Sequence, residues 1–311
     1  MELFPHDSNF NFMRMRWVSL AAAALLMFVA IGAMALNGFN YALDFTGGTV
    51  TELKFDKPVE VEQVRRHLVE RGFEGAEVRT FGSASEVVVR LPLRASGQKQ
   101  VSGIDVQQAA QFPDNRAALL RSDFVGPQIG KELAINGMYA AFFVVFGFLG
   151  YVWIRFEWKF AVAAIIATLH DTVIVAGWFA LTGHEFDLAV LAGILSVMGY
   201  SINDTIVVFD RVRENFRNLH KMSPNEVLNR SVNQTLSRTI ITSFVALLTV
   251  LALYFYGGQS LRGMAESQII GIVIGTLSSI FVACPLLLWL GVTKQDLMPR
   301  AKEDAELARR P

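Results

Sequence analysis

Two apolar stretches of the chain carry acidic side chains at positions where a membrane would surround them. The stretch GYSINDTIVVFDRVREN contains Asn203 and Asp204 inside an apolar run, and a second run contains the adjacent pair His170 and Asp171. An acid near the centre of a span costs about 2.5–3.5 kcal/mol to insert, whereas each Leu, Ile, Phe or Val returns only about 0.3–0.6 kcal/mol. A buried carboxyl can alternate between charged and neutral forms, so these residues predict proton transfer.

Arg238 is the predicted partner of Asp204. Both residues lie toward the same predicted end of neighbouring antiparallel spans. The guanidinium stays protonated, so only the acid of such a pair can bind and release a proton. Two alternatives remain open: Arg238 extends its charge to the membrane surface, or His170 and Asp171 form a purely structural hydrogen-bonded pair. The predicted contact face of the Arg238 span comprises Ser231, Gln234, Arg238 and Thr242.

Membrane-spanning helices must position these residues. The chain is 52% apolar over 311 residues, more than is typical of a water-soluble domain. Crossing the hydrocarbon layer takes roughly 17–25 mostly apolar residues. We therefore predict a polytopic α-helical membrane protein with six spans: 17–36, 134–154, 160–181, 188–209, 238–256 and 268–291.

Basic residues predict the orientation of the spans, because Lys and Arg collect on the cytoplasmic side. They precede the first span, lie between the second and third, and cluster in the loop 210–237. Residues 1–16 and 292–311 are therefore expected in the cytoplasm. A secretory signal peptide at the N-terminus is the alternative, and it is disfavoured because further spans follow the first apolar run.

The polar segment 38–130 predicts a separate domain on the opposite side of the membrane. Its strands are predicted at 49–55, 76–81, 86–91 and 123–125, and its helices at 61–72 and 105–120, the second with an interruption near Pro113. This βαββαβ order is typical of a ferredoxin-like α+β domain. The domain has no clustered His, no Gly-rich loop that opens a helix and no nucleophile motif, so nothing in it indicates catalysis.

Composition excludes several kinds of site and partner. The single Cys284 excludes an internal disulfide and a cysteine metal cluster, and no cofactor or metal is expected. The net charge of zero indicates no nucleic-acid partner. In the last span, Gly271 and Gly275 form a G-x-x-x-G pattern that predicts close helix packing, and Pro285 is predicted to kink the helix.

Five stretches resemble motifs of the SecF family, the smaller subunit of the SecD–SecF protein-export complex. They follow the family order along nearly the whole chain, and the resemblance is weakest over residues 93–115 of the external domain, where no motif is recognised. The stretches are YALDFTGGT (41–49), FVGPQIG (124–130), TLHDTVI (168–174), GYSINDTIVVFDRVREN (199–215) and QTLSRTIITS (234–243).

The resemblance implies half of a bundle of the resistance-nodulation-division (RND) type, paired with an equal number of spans from SecD. It implies a subunit that uses the proton-motive force in the bacterial inner membrane to pull or release unfolded polypeptide on the periplasmic side. SecD, the SecYEG translocon and YajC are the implied partners. The implied proton-path residues are Asp204 and Arg238, whereas Asp171, His170, Asn203 and Ser201 serve proton transfer or packing.

Three other functions remain as alternatives. Half of a proton-coupled small-molecule exporter is the nearest, although related exporters carry a second large loop in the same chain. An intramembrane aspartyl protease would use Asp171 and Asp204 as its dyad, but the expected G-x-G-D is replaced by Ser201-Ile202-Asn203-Asp204. The third alternative is a passive scaffold for the translocation channel, which would show no dependence on a proton gradient.

Overall fold

The computed structural model describes residues 10–81, 83–92, 101–219 and 221–297. The first residues of the predicted cytoplasmic N-terminus and most of the predicted tail lie outside these ranges. The chain divides into a helical unit, Met1–Asn40 with Ala141–Pro311, and a sheet unit, Tyr41–Ala140. The sheet unit thus extends beyond the predicted domain limit at residue 130 and includes the first part of a long helix.

Long helices dominate the described part of the chain. The α-helices are α1 (Arg16–Asn37), α2 (Leu43–Thr46), α3 (Val61–Glu70), α4 (Gly103–Ala109), α5 (Pro127–Arg155), α6 (Trp158–Thr182), α7 (Leu188–Asn218), α8 (Pro224–Tyr256), α9 (Gln259–Ser278) and α10 (Cys284–Trp289). Short 3₁₀ turns lie at Phe12–Met15 and Lys294–Leu297, and a π-helical turn at Ser279–Ala283 joins α9 to α10. The strands are β1 (Asn40–Tyr41), β2 (Gly48–Phe55), β3 (Glu77–Phe81), β4 (Ser83–Leu91), β5 (Ala117–Val125) and β6 (Glu185–Phe186).

Six helical segments of the described chain are long and apolar enough to cross a membrane. They are Phe12–Asn37, Gln128–Arg155, Trp158–Thr182, Leu188–Asn218, Pro224–Tyr256 and Ser260–Trp289. We number them spans one to six. This arrangement confirms the prediction of a polytopic α-helical membrane protein.

Two helices extend well past the predicted ends of spans four and five. The predicted loop 210–237 is largely helical, because α7 continues to Asn218 and α8 already begins at Pro224. A capping box between Ser223 and Glu226 starts α8, with Pro224 in the first turn. Hydropathy marks only the part of a helix that contacts hydrocarbon, so it cannot locate helix ends in a charged segment.

Glycines bring α9 close to α7. A Cβ atom on Gly271 would collide with the side chain of Val197, and one on Gly275 would lie 3.2 Å from Ser201 Cβ. The prediction that Gly271 and Gly275 allow close packing is therefore confirmed.

The π-helical turn in span six precedes Pro285, the second residue of α10. Proline lacks a backbone N–H and its ring clashes with the carbonyl four residues earlier in a regular α-helix. A π-helical turn changes the hydrogen-bond spacing just before such a residue and is often found at functional positions. The sequence predicts a kink of span six at Pro285. The structure shows a change from α-helix to π-helix just before this residue.

The spans differ strongly in how much of their surface the chain itself covers. In the most apolar stretch of span six 61% of the residues are buried, whereas in that of span two, formed by α5, only 6% are. The core of the helical unit includes the fully buried side chains of Phe160, Phe209, Leu228 and Leu287. Helix α5 therefore exposes nearly its whole surface within this chain.

The sheet unit has the predicted ferredoxin-like topology. Its four strands lie in the order β3-β4-β2-β5, and each neighbouring pair is antiparallel. The buried side chains of Leu53, Phe55, Val64, Leu68 and Val106 belong to its core. This order, with β4 between β2 and β3, is the split βαβ arrangement.

The predicted second helix of this domain, 105–120, is wrong in its second half. Helix α4 is capped by Ser102 and Asp105 and ends at Ala109, and residues from Ala117 onward form the edge strand β5. Pro113 interrupts the helical pattern and separates the two elements. Pairing with β2 then extends the strand far beyond the predicted residues 123–125.

Candidate proton-binding site

Asp204 lies inside the helical bundle, where two other spans hold its carboxylate. The residue is 6% exposed on α7. Its Oδ1 accepts a hydrogen bond from Thr239 Oγ1 of α8 at 2.8 Å, and its Oδ2 accepts one from Ser279 Oγ of span six at 2.7 Å. One carboxylate thus joins spans four, five and six.

Asp171 on α6 forms a second buried acidic centre. It is 0% exposed, and its Oδ2 accepts hydrogen bonds from Ser201 Oγ of α7 and, at 2.6 Å, from Ser278 Oγ of α9. Its Oδ1 lies 2.9 Å from His170 Nδ1. Ser201 precedes Asp204 on α7 by about one helical turn, and Ser278 directly precedes Ser279 in span six. Spans four and six therefore contribute to both acidic centres.

His170 is buried beside Asp171, with a side chain that is 7% exposed. Its Nδ1 faces the Asp171 carboxylate. Its Nε2 is buried and has no hydrogen-bond partner among the residues that the structure describes. The pair predicted as a structural or proton-path element is therefore formed, and one of its ring nitrogens remains unused.

Arg238 does not pair with Asp204 in this structure. Its side chain is exposed, and within the described ranges it forms no ion pair. The neighbouring Thr239 contacts Asp204 instead. The predicted direct contact is not formed in this arrangement. The predicted face of α8 is right in its first half, where Ser231 and Gln234 accept from Asn215 of α7. It is wrong in its second half, where Thr239 and Ser243 are buried while Arg238 and Thr242 are exposed.

Asn203 and Ser201 take different positions although both lie next to the acids in sequence. Asn203 is exposed, whereas Ser201 is fully buried and donates to Asp171. The structure therefore places Ser201, and not Asn203, in the polar centre of the bundle.

A layer of hydroxyl groups lies one helical turn from Asp204. Tyr200 Oη donates to Ser243 Oγ at 2.8 Å, and Ser243 Oγ lies 2.7 Å from Thr276 Oγ1. These residues belong to α7, α8 and α9, the spans that also surround Asp204. The polar centre therefore continues along the bundle beyond the two acids.

Close relatives of this chain are known. A family model described as the C-terminal part of the protein export membrane proteins SecD and SecF matches residues 105–293, and a model of the SecD/SecF GG motif matches residues 32–59. Protein translocase subunit SecF of Pseudomonas aeruginosa is 45% identical, over 94% of this chain and 95% of the relative. SecF of Vibrio alginolyticus is 40% identical, over 100% of this chain and 99% of the relative. The chain belongs to the SecF family.

A solved structure shares the fold. The crystal structure of SecDF from Thermus thermophilus, described as a translocon-associated membrane protein, superposes with a TM-score of 0.82 at 41% identity. The match covers 93% of this chain and 39% of that chain, so this SecF family member spans about two fifths of the SecDF polypeptide. The comparison supports an RND-like membrane fold with one sheet domain.

Sequence reasoning missed the hydroxyl groups that hold the acids. Thr239, Ser278 and Ser279 supply three of the hydrogen bonds to Asp171 and Asp204. Two signals were available: Thr235, Thr239 and Ser243 recur every fourth residue, and two adjacent serines precede Pro285. Small polar residues are also common in ordinary helix contacts, so neither signal identifies a site alone.

The protease alternative finds no support in this geometry. In aspartyl proteases two carboxyl groups share one proton. In the described structure Asp171 and Asp204 are not hydrogen-bonded to each other, and each accepts from different hydroxyl groups. The relatives are also named as translocase subunits, which describes transport.

Outside the membrane-spanning segments, Asp296 forms a charged contact with the start of α6. Its Oδ2 lies 2.8 Å from Lys159 Nζ and also accepts from the Thr293 side chain and backbone. Burial alone would raise the pKa of Asp296, but the hydrogen bonds from Lys159 and Thr293 outweigh it and hold that pKa below its ordinary value. This contact fixes the segment that follows span six.

Proposed function

We propose that this SecF family member is a proton-motive-force-driven subunit of the Sec protein-export machinery. It acts with SecD in the bacterial inner membrane and pulls or releases polypeptide on the periplasmic side. The names of its relatives support the export function, and the Thermus thermophilus SecDF chain, of which the match covers 38%, supports a partnership with SecD. In this proposal both termini are cytoplasmic, the sheet unit is periplasmic, and SecYEG and YajC are further partners.

The buried carboxylate of Asp204 carries the proposal. It is bonded to hydroxyl groups of two other spans, so its charge determines how those spans are held together. A neutral carboxyl has one O–H donor in place of one acceptor, and it cannot keep both contacts unchanged. A hydrogen bond to a charged group contributes about 1.5–3 kcal/mol, and a proton moving through the membrane field gains about 2.3 kcal/mol per 100 mV. The two energies are of similar size.

Arg238 has a defined role in this proposal. Arg238 immediately precedes Thr239 on α8. A rotation of that helix by about 100° would therefore exchange the positions of the two side chains. Thr239 holds Asp204 in the arrangement described here, and Arg238 pairs with the ionised acid in a second arrangement. Proton binding to Asp204 removes the attraction for Arg238, so the second arrangement requires the ionised acid.

Alternation between these two arrangements would rock the spans against those of SecD, as in transporters built from two related halves. The periplasmic sheet unit is connected to α1 and α5, so movement of the spans is transmitted to it through the chain. The proposed outcome is cyclic binding and release of the emerging polypeptide.

Proton-gradient-dependent export tests the proposal. The complex with SecD would be reconstituted with SecYEG in vesicles, and export would be measured with and without an imposed proton gradient. The Asp204→Asn variant should lose the gradient-dependent part of export and keep the basal part. Asp210→Asn, an exposed acid on the same helix, is the matched control. Full gradient-dependent export by Asp204→Asn would contradict the mechanism.

A further inference from the structure

The unused ring nitrogen of His170 has no structural explanation in the described chain. The imidazole lies inside the bundle, yet Nε2 has no partner there. A buried polar atom without a hydrogen bond is unfavourable, so such atoms often mark a functional position. The second ring nitrogen, by contrast, is firmly placed against Asp171 Oδ1.

The contacts of Asp171 determine which proton His170 already carries. The carboxylate accepts hydrogen bonds from two hydroxyl groups on Oδ2, which leaves Oδ1 as the oxygen that faces His170 Nδ1. His170 therefore donates its Nδ1–H to Oδ1, which leaves the lone pair of Nε2 free. A carboxylate bonded to Nδ1 also stabilises the imidazolium that forms when Nε2 takes up a proton.

The charged groups packed around this pair include a second buried acid. Helix α7 contributes Asp204, whereas residues 17–37 of α1 carry no charged side chain and the segment from Ser279 to Trp289 contributes only the titratable thiol of Cys284. On α9, Arg262 and Glu266 lie at the opposite end from Ser278. Among the described side chains neither buried carboxylate has a Lys or Arg in ion-pair contact, although the exposed Arg238 of α8 acts electrostatically on Asp204. Protonation of His170 reduces that uncompensated charge.

Resting on the function proposed above, we propose that His170 is a second proton-binding residue, with Nε2 as the acceptor and Asp171 as its counter-ion. The proton comes from water on uptake and returns to water on release, and no other bond is made or broken. Ser278 and Ser279 couple this site to Asp204, because they are adjacent and each is bonded to one of the two acids. A change at either acid therefore acts on the same turn of span six.

The activity test uses His170→Asn in the reconstituted complex. The amide can still donate to Asp171 but cannot bind a proton, so a purely structural pair would be largely preserved. Gradient-driven export should fall by at least about tenfold and lose part of its dependence on pH between about 5 and 9. His184→Asn is the matched control, because His184 Nδ1 also faces a carboxylate, that of Glu266, but is exposed. Wild-type export with an unchanged pH profile in His170→Asn would overturn the inference.

The variant Asp204→Asn, measured in parallel, separates this inference from the proposed function. If Asp204→Asn loses gradient-driven export and His170→Asn does not, only the second site is wrong. If Asp204→Asn retains gradient-driven export, the proposed function is wrong, and the inference that rests on it is wrong as well.

A spectroscopic titration tests the site without relying on export. The complex would be labelled with ¹⁵N-histidine in this chain, which contains 5 His, and the His170 signal assigned by its loss in His170→Asn. The Nε2 signal should change from the unprotonated to the protonated position as pH falls, and its midpoint should shift in Asp204→Asn. A signal that does not titrate would overturn the second site, and an unshifted midpoint would overturn the coupling.

Discussion

Ser278 and Ser279 are adjacent in sequence but donate hydrogen bonds to different acids. Ser278 Oγ lies 2.6 Å from Asp171 Oδ2, and Ser279 Oγ lies 2.7 Å from Asp204 Oδ2. Adjacent residues of a helix point about 100° apart, so span six can face α6 and α7 at one level. Ser279 also begins the π-helical turn, where the regular hydrogen-bond pattern changes. The two buried acids therefore share one irregular element.

Replacement of Ser279 should lower the stability of the complex. Ser279→Ala removes one of the two hydroxyl donors to Asp204, and loss of a hydrogen bond to a charged acceptor should lower stability by about 1.5–3 kcal/mol. Chemical unfolding of the purified complex measures this loss. Thr249→Ala is the control, because it removes an exposed hydroxyl that bonds to the backbone of its own helix. Wild-type stability in Ser279→Ala would show that this hydrogen bond contributes nothing in the complex.

Arg238→Gln should affect activity far more than stability. The side chain is exposed and forms no ion pair within the described ranges, so its loss should change the free energy of unfolding by only about 0.5 kcal/mol or less. Gradient-dependent export should nevertheless disappear if Arg238 pairs with Asp204 in the second arrangement. Both quantities would be measured on the same preparation. A destabilisation of several kcal/mol would instead indicate a structural role.

Gly271→Ala should destabilise the helical bundle. The added Cβ would collide with Val197 of α7, and overpacking of this kind costs about 1–3 kcal/mol. Gly199→Ala is the control, because no heavy atom lies within 4 Å of a Cβ added there. Its unfolding midpoint should stay unchanged or rise slightly, since alanine is the better helix former. Equal midpoints for the two variants would contradict the close packing of α7 and α9.

The Asp296 contact should weaken in acid. A carboxyl whose pKa is lower in the folded state stabilises that state above its unfolded pKa, and the contribution is lost as pH falls through the folded pKa. The pKa of Asp296 is depressed by the Lys159 and Thr293 hydrogen bonds, so protection of the Thr293 backbone amide from hydrogen exchange should decline below about pH 4. In Asp296→Ala this amide should already exchange rapidly at neutral pH. Protection equal to that of the wild type would show that Asp296 does not hold this segment.

The architecture was predictable because its signals are repeated over many residues. Six apolar stretches and a βαββαβ pattern each depend on numerous side chains, so single errors do not change the result. Boundaries were less predictable. The capping box at Ser223 is a local signal, but the charged residues around it predict a loop, because hydropathy falls wherever a helix leaves the hydrocarbon.

The chemistry around Asp204 was predictable only in part. An acid in an apolar segment is conspicuous, and the structure places it in the bundle interior. Its partner depends on the rotation of α8, and a difference of one residue, about 100°, separates Arg238 from Thr239. Amphipathic periodicity does not resolve such a difference in a helix whose polar residues are distributed around its axis. The unused Nε2 of His170 likewise became visible only from three-dimensional contacts.

The position of Ser278 and Ser279 in span six has a consequence for biosynthesis. During translation, α6 and α7 leave the ribosome well before span six, so Asp171 and Asp204 initially lack these donors. Until span six arrives, both acids must be stabilised by water, by a proton or by the insertion machinery. The hydrogen-bonded surroundings of these acids are thus completed only when the last span has been inserted.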